Sequence, residues 1–136
     1  MALLTWNSSQ YSVGVKSIDG QHSVLFGLIN DLHEAMRKGQ GQSQTGPLLS
    51  KLVDYTETHF TAEEEMMADA DYPGLADHKL KHRDLIKQVQ DFSSRLEKGE
   101  AALSLDLMNF LRDWLTNHIQ KVDHDYTPWM NQHGVH

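Results

Sequence analysis

The chain has no cysteine. Disulfides, iron–sulfur clusters and thiolate nucleophiles are thereby excluded, and any metal it holds must sit on nitrogen and oxygen donors. It also lacks a long hydrophobic run: no stretch approaches the about 18 consecutive apolar residues a membrane helix needs. Positive charge is scarce and scattered, with 12 Lys and Arg against 19 Asp and Glu and a net charge of −7 with histidine neutral. With no basic run, nucleic acid is not an expected partner. Met1-Ala2-Leu3-Leu4-Thr5-Trp6 has neither a basic start nor a sustained apolar segment, so no secretory leader and a cytoplasmic location are expected.

What is present is a chain of 136 residues, 39% hydrophobic, enough for one domain over residues 1–136 with a full core. There is no strand-like alternation and no low-complexity tract. Apolar residues and histidines recur at 3–4 spacing in four segments, the pattern of helices facing a common core. The first seam is Ile18, His22, Leu25, Ile29, Leu32, Met36; the second Leu49, Leu52, Thr56, His59, Glu63, Met66. The third is Leu75, His78, His82, Leu85, Val89, Phe92, Leu96; the fourth Leu107, Phe110 or Leu111, Trp114, His118, Val122. Pro47 suits a first helical turn, and Pro128 prevents a long continuation of the last helix.

These seams predict helices over about 18–38, 47–68, 74–97 and 104–122, joined by short connections. The expected fold is all-α: an up-down-up-down antiparallel four-helix bundle. An extended N-terminal arm over 1–17, with Trp6 and Tyr11 packed on the bundle, and a short frayed C-terminal segment complete it.

Nine histidines are the anomaly, and their placement gives them meaning. A single core histidine is usually a satisfied hydrogen-bonder, but His22, His59, His78, His82 and His118 all fall on inward seams with Glu63. A buried carboxylate is costly unless paired or metal-bound. His22 and the His78/His82 pair lie near helix starts, His59/Glu63 and His118 near helix ends, so an antiparallel bundle brings all six to one layer. The pairs His59/Glu63 and His78/His82 are four residues apart, on one helix face. Asp123 follows His118 by five residues, about 140° around an ideal helix, and points inward only if the helix ends or distorts near Val122.

A single zinc needs about four ligands and leaves several of these donors unexplained. On a dinuclear site, five imidazoles, two bridging carboxylates and one bridging oxygen ligand supply all but one of the positions around two six-coordinate metals. One position stays open.

The stretches Ile18-Asp19-Gly20-Gln21-His22, His59-Phe60-Thr61-Ala62-Glu63-Glu64, His78-Lys79-Leu80-Lys81-His82 and His118-Ile119-Gln120-Lys121-Val122-Asp123 together resemble the hemerythrin family. Each is weak alone, but the ordered set spans Trp6 to about Trp129. The resemblance implies reversible dioxygen binding, for carriage or storage, at an oxo- or hydroxo-bridged pair of irons. It implies that His78, His82 and His118 complete one iron, that His22 and His59 serve the other, which keeps the open position, and that Glu63 and Asp123 bridge.

Leu25, Phe60, Trp114, Leu115 and Ile119 neighbour these ligands, either as an apolar wall around the open position or as ordinary core. Asp19 either orients a ligand or caps a helix; Tyr126 either orients a ligand or packs. Glu64 and Glu65 are expected to be solvated. His33, about 16 Å along its helix from His22, is expected to be structural or exposed. His133 and His136 are read as incidental, and His124 is assigned no role.

A ligand set poor in carboxylate, beside the four glutamates of carboxylate-rich bundle enzymes, favours binding dioxygen over cleaving it, and no enzyme activity is expected. Two other readings compete: a sensor of oxygen or redox state, and a di-iron enzyme acting on peroxide or nitric oxide. An oxygen-consuming enzyme is the expected recipient of the dioxygen.

Overall fold

A computed structural model describes residues 4–38, 42–97 and 105–136. Among the described residues six α-helices follow in order: α1 (Ser8–Tyr11), α2 (Lys16–Arg37), α3 (Gln42–Asp69), α4 (Leu75–Glu97), α5 (Leu105–Asn117) and α6 (Thr127–Gln132). Between α5 and α6 the chain stays helical but changes pitch, through a π-helical turn at His118–Val122 and a 3₁₀ turn at Asp123–Tyr126. The long helices α2 to α5 form the antiparallel four-helix bundle, with α3 packed on α2 and α4, and α2 on α5. No described helix is long and apolar enough to cross a membrane.

The inward seams follow the 3–4 spacing read from the sequence, except that Met67 rather than Met66 is fully buried in α3 and Met108, not on the expected seam, is buried in α5. Leu25, Ile29 and Leu32 of α2, Leu49 and Leu52 of α3, Val89 of α4 and Met108 and Leu111 of α5 are buried. Each fully buried large aliphatic side chain stabilises the fold by about 1.5–3 kcal/mol. That apolar end of the bundle carries the cost of a second layer made of histidine and carboxylate. Phe92 against Phe110, 5.0 Å between rings, ties α4 to α5. The expected helix start at 104 lies outside the described residues, as do the side chains of Leu96 and Leu107.

Three expectations about the helix ends need correction. The arm is not extended throughout: Ser8–Tyr11 form one α-turn, capped by Asn7, whose side chain accepts from the Ser9 N–H, and Lys16 and Ser17 already belong to α2. Trp6 and Tyr11 pack on Phe26, at 5.3 and 4.9 Å between rings, and Leu4 exchanges two 2.8 Å hydrogen bonds with Asn30. The second correction is that α3 starts at Gln42, ahead of Pro47. The fixed φ of proline is helical, so the turn continues through it with one backbone hydrogen bond missing.

The third correction is that the C-terminal segment is not frayed. Gly134, at φ +82°, closes α6: the Val135 N–H donates to Met130 O and the Gly134 N–H to Asn131 O. This is a Schellman cap, which satisfies carbonyls the helix end would leave open. The α6 segment is also clipped to the arm, with Thr127 Oγ1 donating to Val13 O at 2.6 Å and Asn131 Nδ2 to Gly14 O at 3.1 Å. A second Schellman cap ends α3, with Asp71 in the left-handed region at φ +54° and the Tyr72 N–H donating to Met67 O.

Candidate metal centre

Seven buried side chains meet in the polar layer: His22 from α2, His59 and Glu63 from α3, His78 and His82 from α4, His118 from the π-turn and Asp123 just after it. The π-turn resolves the awkward spacing of the last two. Its wider hydrogen bonding, with the Asp123 N–H donating to the His118 carbonyl, absorbs the extra residue. Asp123 thus lands on the face of His118, Oδ1 3.0 Å from Nε2.

The two carboxylates divide the histidines. Glu63 Oε1 lies 3.0 Å from His82 Nε2 and 3.4 Å from His78 Nε2, while Asp123 Oδ1 lies 3.0 Å from both His78 and His118. The other oxygens face the opposite way: Glu63 Oε2 is 3.6 Å from His22 and from His59, and Asp123 Oδ2 is 3.1 Å from His22. The donors form two groups sharing both carboxylates. One comprises Glu63, His78, His82, His118 and Asp123, the other His22, His59, Glu63 and Asp123, with donor atoms of each group within 4.8 Å of one another.

These close approaches are not hydrogen bonds. Apart from Trp114 Nε1, every buried side-chain nitrogen or oxygen left without a hydrogen-bond partner among the described residues belongs to these seven. Buried polar atoms are nearly always satisfied. Except for the outer Nδ1 of His22, these atoms converge on shared points rather than on donors, and a cation at each point satisfies them together. The residues fit a pair of metal ions.

Electrostatics agree. Burial by itself lowers the pKa of His22 and His78, but the Asp123 and Glu63 carboxylates outweigh it and raise both to about 9 in the metal-free chain. Burial dominates at His59, which falls to about 4 and stays neutral. Burial and the charge of Asp123 push Glu63 up, yet its histidine neighbours hold it well below the usual carboxylate range. Asp123 is likewise lowered against its burial, chiefly by His118.

A conserved-domain description, the hemerythrin HHE cation binding domain, matches residues 13–130. The chain belongs to the hemerythrin family. It is 37% identical over 131 residues to the bacteriohemerythrin of Methylococcus capsulatus, covering 96% of this chain and 99% of that protein. It is 38% identical over 133 residues to the bacteriohemerythrin of Stenotrophomonas maltophilia, covering 98% of this chain and 85% of that protein. A crystal structure of wild-type hemerythrin superposes with a TM-score of 0.89 at 37% identity, over 95% of this chain and 98% of that one.

Around this hemerythrin site, two supports escaped the sequence reading. Gln21 Oε1 lies 2.6 Å from His59 Nδ1, and Glu64 Oε2 lies 2.9 Å from His82 Nδ1. Each accepts the outer N–H of its histidine and turns Nε2, with its lone pair, inward. Glu64 is therefore not simply solvated; Glu65 is exposed. Tyr126, fully buried, donates its hydroxyl to Glu63 Oε2 at 2.9 Å. Asp19 does not reach a histidine: its two oxygens accept from Ser12 Oγ at 2.6 Å and the Val13 N–H at 2.8 Å, fastening the arm to α2.

Leu25, Phe60, Trp114, Leu115 and Ile119 are all buried. The Phe60 ring stacks flat on His82 at 3.7 Å and also neighbours His59 and His118, at 5.7 and 5.6 Å. Trp114 and His118 share a groove of about 450 Å³ between α4 and α5 with Leu85 and Phe110. His33 belongs to neither donor group, and His124, His133 and His136 are exposed.

Proposed function

We propose that this hemerythrin-family chain binds dioxygen reversibly, for carriage or storage, at a non-haem di-iron centre. The observation that carries the reading is the unequal division of donors. The group around His78, His82 and His118 offers five donor residues and the group around His22 and His59 four, with Glu63 and Asp123 common to both. With one further shared ligand the first group would fill six positions around an iron, and the second would leave one for a small molecule.

In this reading His78, His82 and His118 would hold one iron and His22 and His59 the other, with Glu63 and Asp123 shared between the two groups. The bound irons supply two electrons that can be lent to dioxygen and recovered. The protein's own groups keep that loan reversible. Gln21 and Glu64 fix the inward nitrogens of His59 and His82. Tyr126 holds Glu63 Oε2 through its hydroxyl, and burial with the nearby carboxylates raises the tyrosine pKa well above its usual value, so the proton stays on the phenol. Phe60, Leu25, Trp114, Leu115 and Ile119 supply an apolar surround that excludes water. A cytoplasmic place of work and an oxygen-consuming enzyme as recipient are parts of the proposal that rest on composition and family resemblance.

The test is an absorption spectrum of the anaerobically reduced, iron-loaded protein, recorded before dioxygen, after it, and after its removal. A charge-transfer band that comes and goes with the gas is the expected result. Irreversible oxidation on first exposure overturns the carrier reading.

A further inference from the structure

Three oxidisable rings stand in line between the donor cluster and the surface. The Tyr126 ring is 5.7 Å from His78, Tyr72 lies edge-on to Tyr126 at 6.4 Å, and Trp129 lies 6.3 Å beyond Tyr72. The exposed ring of His133 stacks on Trp129 at 4.4 Å and ends the row.

Each ring is pinned by its own contact. Tyr126 is tied to Glu63 Oε2. Tyr72 leaves the Schellman cap of α3 and lies flat on Gly74, where a Cβ would come 2.8 Å from its ring atoms, so only glycine lets the ring rest there. Trp129 Nε1 donates to Ala70 O at 2.7 Å, and a ring nitrogen of His133 lies 2.8 Å from Trp129 O. Tyrosine and tryptophan lose an electron far more readily than phenylalanine or histidine, and no cysteine competes with them. The other aromatic cluster, Trp6, Tyr11 and Phe26, makes no ring contact with the site histidines among the described residues.

We propose that Tyr126, Tyr72 and Trp129 carry oxidising equivalents from the di-iron site to the surface and give the protein a second activity, reduction of hydroperoxides by one-electron donors such as ascorbate or phenols. The inference rests on the di-iron reading. Per turnover, one hydroperoxide takes up two electrons and two protons: its O–O bond breaks, and an alcohol and a water leave, or two waters when the substrate is hydrogen peroxide. Two donor molecules each lose one electron at the Trp129–His133 stack and depart as radicals. Inside the chain each electron steps from Trp129 to Tyr72 to Tyr126. When Tyr126 gives up its electron, its phenolic proton shifts along the 2.9 Å hydrogen bond toward Glu63 and returns when Tyr72 refills the ring. Tyr72, partly exposed, exchanges its proton with solvent. Without this exit the oxidising equivalents fall on what surrounds the site, including the buried Met67 and Met130, whose thioethers oxidise to sulfoxides.

The experiment mixes the oxidised, iron-loaded protein, whose irons no longer supply the two electrons, with hydrogen peroxide, freezes it, and reads protein radicals by electron paramagnetic resonance. Peptide mass spectrometry then locates the oxidised side chains. The parent should show a tryptophanyl signal and oxidation concentrated at Trp129. Tyr72→Phe keeps the ring on Gly74 but should lose that signal, move oxidation to the site histidines and Met67, and lose ascorbate-dependent peroxide consumption. Trp129→Phe should also lose the signal, and Trp6→Phe should keep it. Iron content and the reversible dioxygen spectrum are measured on every variant and should match the parent. A parent that takes up no iron overturns the di-iron reading and the conduit together. Normal iron and a normal dioxygen spectrum, with Trp129 still oxidised in Tyr72→Phe, overturn the conduit alone.

Discussion

Asp123 Oδ1 lies 3.0 Å from His118 Nε2, although the step of five residues from one to the other turns an ordinary α-helix by about 140°. The π-turn makes the meeting possible, and it makes the site depend on backbone length rather than on side chains alone. Deleting the exposed Lys121 leaves a four-residue spacing, the one that already serves His59 and Glu63. Inserting an alanine after Lys121 makes the spacing six residues, which on an ideal helix leaves the acid about 120° from the face of His118. Both changes displace α6 by one residue, so they differ mainly in where the carboxylate points. We expect the deletion variant to retain more iron per chain than the insertion variant. Equal losses by metal analysis would show that the position of Asp123 does not decide iron retention.

The same pair marks how far the sequence could be read. His59/Glu63 and His78/His82 are legible because four residues on a regular helix share a face, and antiparallel packing then stacks the starts and ends of helices. Asp123 was legible only on condition of a distorted helix; that the distortion is a π-turn carries no mark in the residue pattern. Gln21 and Glu64 carried no usable signal, since their partners lie 38 and 18 residues away on other helices. The turn at Ser8–Tyr11 packs only Tyr11 against the core and so leaves no hydrophobic period, although Asn7 is a recognisable cap.

Gln21 and Glu64 should matter in proportion to their hold on the inward nitrogens. Loss of such outer hydrogen-bond partners typically weakens a metal site by about 10–100-fold. Gln21→Ala and Glu64→Gln are expected to fall in that range, read as the chelator concentration that strips half the iron. Glu65→Gln, beside Glu64 but exposed, should match the parent. Equal resistance to chelator in all three variants would remove both residues from the site.

The metal-free chain should have a characteristic stability profile with pH. His22 and His78 rise from 6.5 to about 9 on folding, because the carboxylates outweigh burial. Their contribution is fully present below pH 6.5 and is lost as pH rises through about 9. His59, lowered to about 4, acts the other way: its penalty grows as pH falls from 6.5 toward 4. Glu63 and Asp123, both lowered, also withdraw support on acidification. The melting temperature of the metal-free protein should therefore peak near pH 6.5 and fall toward pH 9. Iron requires neutral imidazoles, so the loaded protein has already released those protons and should not show the alkaline fall. Parallel melting curves for the two forms between pH 6.5 and 9 would contradict the assignment.

Leu115 precedes His118 by three residues, is 2% exposed, and occupies the turn of α5 that leads into the site. In the proposed site, a branched apolar side chain there would exclude water from the position left for dioxygen. Leu115→Ala opens a void at a cost of about 2–5 kcal/mol, because a buried leucine is removed and its surroundings relax only in part. No donor is lost, so helicity and iron content should survive. The lifetime of the oxygenated form is what should change, since water admitted beside the irons speeds their irreversible oxidation. Decay of the oxygenated spectrum, compared with the parent at matched pH, temperature and salt, should be markedly faster. Equal decay rates at normal iron content would reduce Leu115 to ordinary core packing and leave water exclusion to Phe60, whose ring already lies flat on His82.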